Sequence, residues 1–332
     1  MFVDMKLHQP ETTSGGPSPF ARILVTGSTG FLGHHVMPRL REAFPDAELI
    51  GLGRRDFDLL DPGAPAAMLR QIRPDCVVHM AAKSGGIITN IKRPADFFYD
   101  NLAMNLHVFH ESWQAGVKKF VTFMGGCSYP SHAQSPIGED QMWNGYPQIE
   151  SAGYSVAKKM LLTQSWAYRV QHGINSVVLI PGNVYGEWDN FNLEEAHVIP
   201  ALVRKYVEAQ DRGDKTITAF GSGRPTRDFV YAGDVAAAVP WFVRHYDSSE
   251  PVNVSAGRRI SIRELAETVK KTTGFAGEIV WDASKPDGQI DKIFDVTRLH
   301  GLGLSCDTSL EDGLRRTVQW FLKARQEGTV RL

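Results

Sequence analysis

Thr26-Gly27-Ser28-Thr29-Gly30-Phe31-Leu32-Gly33 is the stretch on which the fold turns. Residues 22–26 form a short apolar run, read as a strand, and a helical pattern continues past the last glycine to about Phe44. The three glycines permit a tight turn and let backbone N–H groups reach an anion at the helix N-terminus. Such spacings arise by chance in a chain with 31 glycines, so the strand–loop–helix context carries the inference. In that context Gly27, Thr29, Gly30, Phe31, Leu32 and Gly33 read as a loop that cradles a dinucleotide pyrophosphate.

Further strands are expected at 47–52, 76–79, 119–123 and 176–180, with long helices at 95–114 and 154–171. Arg73-Pro74-Asp75 leads into the third strand, because proline excludes a continuing helix. This alternation predicts an α/β fold, a Rossmann-type doubly wound parallel sheet, over residues 21–180. Beyond Pro181 the rhythm is irregular. Helices are expected at 197–210, 232–244, 262–272 and 309–325, with strands 216–219, 252–254 and 278–280 between them. Residues 181–332 therefore read mainly as a smaller mixed α/β substrate-binding lobe closing over the sheet's carboxyl edge. Residues 1–20 lack the basic start and apolar core of a secretory signal and read as a flexible tail.

Composition narrows the function. The 332 residues carry 36 basic and 37 acidic side chains, a net charge of −1, so no basic field draws the chain to nucleic acid or anionic lipid. The apolar run 235–243 is too short to span a bilayer and contains Pro240, so no membrane partner is expected. Cys76, Cys127 and Cys306 are odd in number and show no CxxC spacing. That argues against a disulfide framework and a zinc cluster; no metal is expected, and the expected compartment is a reducing cytoplasm.

NAD sites place an acid at the end of the second strand for the ribose hydroxyls, whereas NADP sites put a cation there. Gly51-Leu52-Gly53-Arg54-Arg55 offers no acid until Asp56, which favours NADP(H) through Arg54; NAD is the alternative if the cofactor is tightly retained. Asp58 and Leu59 would lie near the adenine. Downstream, Tyr154-Ser155-Val156-Ala157-Lys158 puts a phenol and an ammonium one turn apart on a helix face. Such a pair suits proton transfer, Lys158 lowering the phenol's pKa and holding the nicotinamide ribose.

With these motifs the chain resembles the extended short-chain dehydrogenase/reductases. Within them it resembles the GDP-L-fucose synthase branch, the 3,5-epimerase/4-reductases of GDP-4-keto-6-deoxymannose. The resemblance runs from about Arg22 to Glu327 and is most specific at His79-Met80-Ala81-Ala82-Lys83-Ser84-Gly85-Gly86-Ile87, Cys127-Ser128-Tyr129-Pro130 and Asp189-Asn190-Phe191. His197-Val198-Ile199-Pro200-Ala201-Leu202 and Asp282-Ala283-Ser284-Lys285-Pro286-Asp287-Gly288 belong to that branch in particular. The resemblance implies Cys127 and His197 as the acid–base pair beside a carbon-4 ketone, with Tyr154 protonating the carbon-4 oxygen. It also implies that Ala81, Ala82, Pro181 and Val184 line the cofactor. Asn183 would meet the sugar–nucleotide bridge, Phe220 would stack near the nucleotide, and Arg227 and Lys292 would supply cations for a nucleotide-sugar diphosphate. Relatives of this kind pair as homodimers through the helices at 95–114 and 154–171.

One position departs from the pattern. The branch carries Ser or Thr four residues before the tyrosine of its Cys-Ile-Tyr-Pro segment, and counting back from Tyr129 gives Gly125. The hydroxyl that would bond the carbon-4 oxygen is therefore missing, and Ser128, three positions on, need not point the same way. Gly125 motivates two alternatives to a net reductase. One is an epimerase that oxidises carbon 4 transiently and returns the same hydride; the other is a non-catalytic dinucleotide-binding regulatory subunit.

Overall fold

A computed structural model describes residues 18–284 and 287–332. Most of the expected tail, residues 1–17, and the expected family residues Lys285 and Pro286 lie outside the described residues.

Five strands begin the molecule: β1 (Arg22–Thr26), β2 (Glu48–Leu52), β3 (Cys76–His79), β4 (Lys119–Phe123) and β5 (Asn175–Pro181). With Val252–Val254 they form a six-stranded sheet in the order Val252–Val254, β5, β4, β3, β1, β2, and every neighbouring pair is parallel. β3 and β4 are buried along their whole length, as apolar runs covered on both faces must be. Even Lys119 is buried; its amine donates to Asn175 and to the Tyr246 carbonyl. The doubly wound sheet is thus present.

The helices in chain order are α1 (Phe31–Ala43), α2 (Ala64–Ile72), α3 (Ile87–Lys92), α4 (Pro94–Gln114), α5 (Ala152–His172), α6 (Val198–Arg212), α7 (Ala232–His245), α8 (Ile262–Thr273), α9 (Thr297–Gly301) and α10 (Leu310–Gln326). One face of the sheet packs on α1 and α7 through Val36, Leu40, Val235, Val239 and Phe242. On the other face α2 and α4 contribute Met68, Leu69, Met104, Val108 and Phe109.

Residues after Pro181 do not all build a second lobe. Val252–Val254 pairs in parallel with β5 as a sheet edge, and α7 packs on α1, so the chain returns to the first layer. The remaining lobe has its own core, with Tyr206, Leu265, Leu314 and Phe321 at its centre. Among the described residues it holds three small sheets: Thr216–Phe220 with Glu278–Asp282, Asn183–Tyr185 with Phe229–Tyr231, and Thr226–Arg227 flanked by Ile260–Ser261 and Asp291–Lys292. The switch in strand order falls between β1 and β3, which is where open α/β sheets bind ligands at their carboxyl ends.

Candidate active site

A cavity of about 1410 Å³ lies over that switch point. Its first wall is the glycine loop. Gly27 takes φ +74, and a Cβ there would lie 2.7 Å from the Ala81 nitrogen; a Cβ on Gly33 would lie 2.4 Å from two loop carbonyl oxygens. These positions admit only glycine, and they bring α1 hard against the sheet. The N-terminus of α1 has no side-chain cap and no acid in its first turn, so its amides are left for an anion. Such a cradle fits a dinucleotide diphosphate.

At the end of β2, Asp56 turns back and accepts the Gly53 N–H at 2.8 Å. Arg54 stands at the cavity rim instead, 3.6 Å from Asp58. Leu59, Ala81, Ala82, Pro181 and Val184 line the cavity.

The chemistry-bearing side chains meet further in. Tyr154 and Lys158 come from the first turns of α5, and Cys127 from a single 3-10 turn, Gly126–Ser128, beyond β4. His197 occupies the N-cap position of α6, and Asn183, Arg227 and Lys292 come from strands of the second lobe. Burial pushes Lys158 down to about 8, opposed by its Coulomb interaction with Cys127. Burial lowers Lys292 as well, with the same opposition. Tyr154 is raised by burial and then by Cys127. The expected lowering of the phenol by Lys158 is therefore not a property of this arrangement, because desolvation dominates. The His197 ring is exposed at the cavity wall, yet desolvation by the protein packed around it holds its pKa below the ordinary histidine value.

Gly125 sits between these groups. A Cβ there would lie 3.1 Å from Cys127 Sγ and 3.7 Å from the Tyr154 hydroxyl, which is where a hydroxyl side chain would project. Ser128 does not substitute: it is fully buried and its hydroxyl donates to the Ser155 carbonyl at 2.9 Å. Arg227 pairs with neither Asp228 nor Asp234; its Nη1 donates to the Thr226 and Gln289 carbonyls at 2.8 and 2.7 Å. Asp228 instead receives the Gly257 N–H and Asp234 receives Thr308.

Phe220 is the exception among the expected site residues. It lies outside the cavity lining, 64% exposed, with the Lys205 amine over its ring. In Thr216–Phe220 the alternate residues Ile217 and Ala219 face inward, which turns Phe220 outward. Sequence reading also passed over His34, Asn90, Trp188 and Arg331 as site residues, although all four line the cavity. His34, Asn90 and Trp188 shared the signal of lying next to quoted motifs, whereas Arg331, near the chain's end, had none. Lys83, within such a motif, lines the cavity too and is fixed by Asp100 at 2.6 Å.

The fold and the Tyr–Lys pair beside a glycine cradle define a dinucleotide-binding protein of the short-chain dehydrogenase type. The chain belongs to the NAD dependent epimerase/dehydratase family, whose model matches residues 23–257. It is 38% identical over 301 residues to a GDP-L-fucose synthase of Sinorhizobium fredii, covering 91% of this chain and 95% of that one. Among solved structures, a GDP-L-fucose synthetase from Naegleria fowleri bound to NADP superposes with a TM-score of 0.89 at 32% identity, over 99% of this chain and 100% of the other. A GDP-6-OMe-4-keto-L-xylo-heptose reductase from C. jejuni gives 0.85 at 26% identity, over 93% and 99%.

Proposed function

We infer that the protein is an NADP(H)-dependent epimerase/reductase of a GDP-linked 4-keto sugar. The observation that carries this reading is the convergence of Cys127, Tyr154, Lys158 and His197 with Lys292 and Arg227 on the one cavity that also contains the glycine cradle.

A ketone at carbon 4 acidifies the protons on carbons 3 and 5. Cys127 takes one of them on Sγ; the C–H electron pair moves to the carbon-4 oxygen, which Tyr154 stabilises through its hydroxyl proton. His197 returns a proton on the opposite face, its depressed pKa making the protonated ring a strong donor. Bound NADPH supplies the hydride that reduces carbon 4. Tyr154 gives its proton to the resulting alkoxide, and Lys158 holds the nicotinamide ribose. Arg227, Lys292 and Asn183 orient the diphosphate and sugar, and Arg54 reads the 2′-phosphate of the cofactor. The enzyme works in the cytoplasm, with three free thiols.

The protein acts as a homodimer through α4 and α5, whose outer faces carry the exposed side chains of Tyr99, Leu106, Trp166 and Val170. Among the described residues no helix is long and apolar enough to cross a membrane.

Incubation with GDP-4-keto-6-deoxymannose in deuterated water tests the acid–base assignment. Solvent deuterium enters the carbons beside the ketone, and Cys127→Ala stops that entry. Exchange that survives Cys127→Ala removes Cys127 as the base.

A further inference from the structure

Trp188 is one of two described non-glycine residues with a left-handed backbone, at φ +68. A bulky side chain holds that conformation only where its surroundings over-determine it. Here they do. The indole stacks on His34 with 4.0 Å between ring centroids and 14° between planes, and leans on Trp320 of α10 at 5.0 Å.

His34 follows directly on Gly33 in α1, and its imidazole faces the backbone carbonyl of Thr29 in the glycine loop. The next residue completes the grip: His35 Nε2 lies 3.0 Å from the Glu187 carbonyl oxygen. The Glu187 carboxylate in turn accepts the Tyr231 hydroxyl at 2.9 Å. Two successive histidines thus fasten the helix that opens the dinucleotide site to the dipeptide Glu187-Trp188.

From that dipeptide the chain is tied onward to His197. The Asn190 amide donates to Glu195 at 3.1 Å, the Asn192 carbonyl accepts the Ala196 N–H at 2.7 Å, and the Glu195 carbonyl accepts the Gly86 N–H at 2.7 Å. His34 and Trp188 both line the same cavity as the glycine loop and His197.

We propose that His34 and Trp188 are a positioning pair that couples dinucleotide binding to the placement of His197. A dinucleotide seated on the glycine loop sets His34, the stack sets Trp188, and Trp188 sets the segment 186–197. The pair rests on the dinucleotide reading of the cavity and is independent of the part His197 plays in proton transfer. Coupling of this kind requires the stack to be held more tightly in the dinucleotide-bound state than in the free one.

Hydrogen–deuterium exchange on the full chain, with and without NADP⁺, reads the coupling directly. In the wild type NADP⁺ slows exchange at residues 26–34 and also, by about fivefold or more, at 186–198. In His34→Ala the first protection persists and the second is lost, while His34→Phe, which keeps a stacking ring, restores it. Trp188→Gly relieves the left-handed backbone, so it melts no lower than His34→Ala yet also loses the remote protection. The proposal is overturned if NADP⁺ leaves 186–198 unchanged in the wild type, or if His34→Ala keeps its protection there. Protection of neither segment overturns it together with the dinucleotide reading. Protection of both segments in a protein that turns over no keto sugar supports the pair and removes the catalytic reading alone.

Discussion

Gly125→Ser restores the hydroxyl that the site lacks, and its effect can be worked out from the geometry. The backbone at Gly125 has φ −95 and ψ 143, ordinary extended values that serine adopts without strain. The new Cβ would lie 3.1 Å from Cys127 Sγ and 3.3 Å from a Tyr154 ring carbon, so both must give by a few tenths of an ångström. Overpacking of this order costs about 1 kcal/mol, or roughly fivefold in rate if it falls on the transition state. Against that, one donor aimed at a developing oxyanion is worth ~10²–10³ in rate. The Tyr154 hydroxyl lies 3.7 Å from the Cβ position, so the serine hydroxyl reaches the same acceptor. The net expectation is a gain of about twentyfold to two-hundredfold in kcat for reduction of the 4-keto sugar, followed as loss of NADPH absorbance. Gly125→Ala carries the same crowding without the donor and should slow reduction. Equal rates for the serine and alanine variants would refute the reasoning, because the hydroxyl would then have no acceptor in the transition state.

Lys158→Met should abolish reduction and raise the stability of the cofactor-free protein. The gap between 10.5 and about 8 corresponds to about 3 kcal/mol of destabilisation below pH 8, relieved as pH rises from about 8 to 10.5, where only the unfolded chain keeps the proton. Denaturant titrations across that window should show a wild-type stability rise larger than that of the variant. Parallel curves would contradict the buried charge. Arg54→Ala should weaken NADPH about tenfold while leaving NADH unchanged, the low end of a charge-assisted bond because this side chain is 80% exposed; equal losses for both cofactors would place the 2′-phosphate elsewhere. Gly33→Ala drives a methyl into two loop carbonyls at 2.4 Å and should cost several kcal/mol in unfolding free energy together with dinucleotide binding. A wild-type melting curve would show that α1 can draw back from the sheet.

The sheet was legible where the chain announces it physically. β1, β3 and β4 fall on the expected residues, because each is a continuous apolar run bounded by glycine, proline or lysine signals. Val252–Val254 was found as a strand but expected in the wrong layer. Three residues carry no period, and its partner β5 lies far back in the chain. Tyr154, Lys158, Cys127 and His197 converge because their positions are set by strand ends and helix starts, which sequence motifs mark. Phe220 stands outside the cavity lining for a reason that was in the sequence: the period of two through Thr216–Phe220 puts it on the outer face. Trp188 had no such signal, since a left-handed tryptophan follows from packing against His34 and Trp320 rather than from local preference. The phenol's direction was also beyond sequence reasoning, which saw the lysine one turn away but not the desolvation that outweighs it.

The measurement that bears most directly on the account is a single incubation of the wild-type protein with GDP-4-keto-6-deoxymannose and NADPH in deuterated water, with both product and cofactor analysed. The account predicts NADPH oxidised in equal amount to the sugar consumed, and deuterium at the carbons on both sides of carbon 4 in the product. Deuterium entry with no net NADPH oxidation, accompanied by NAD⁺ released only on denaturation, would contradict it and identify an epimerase that returns its own hydride.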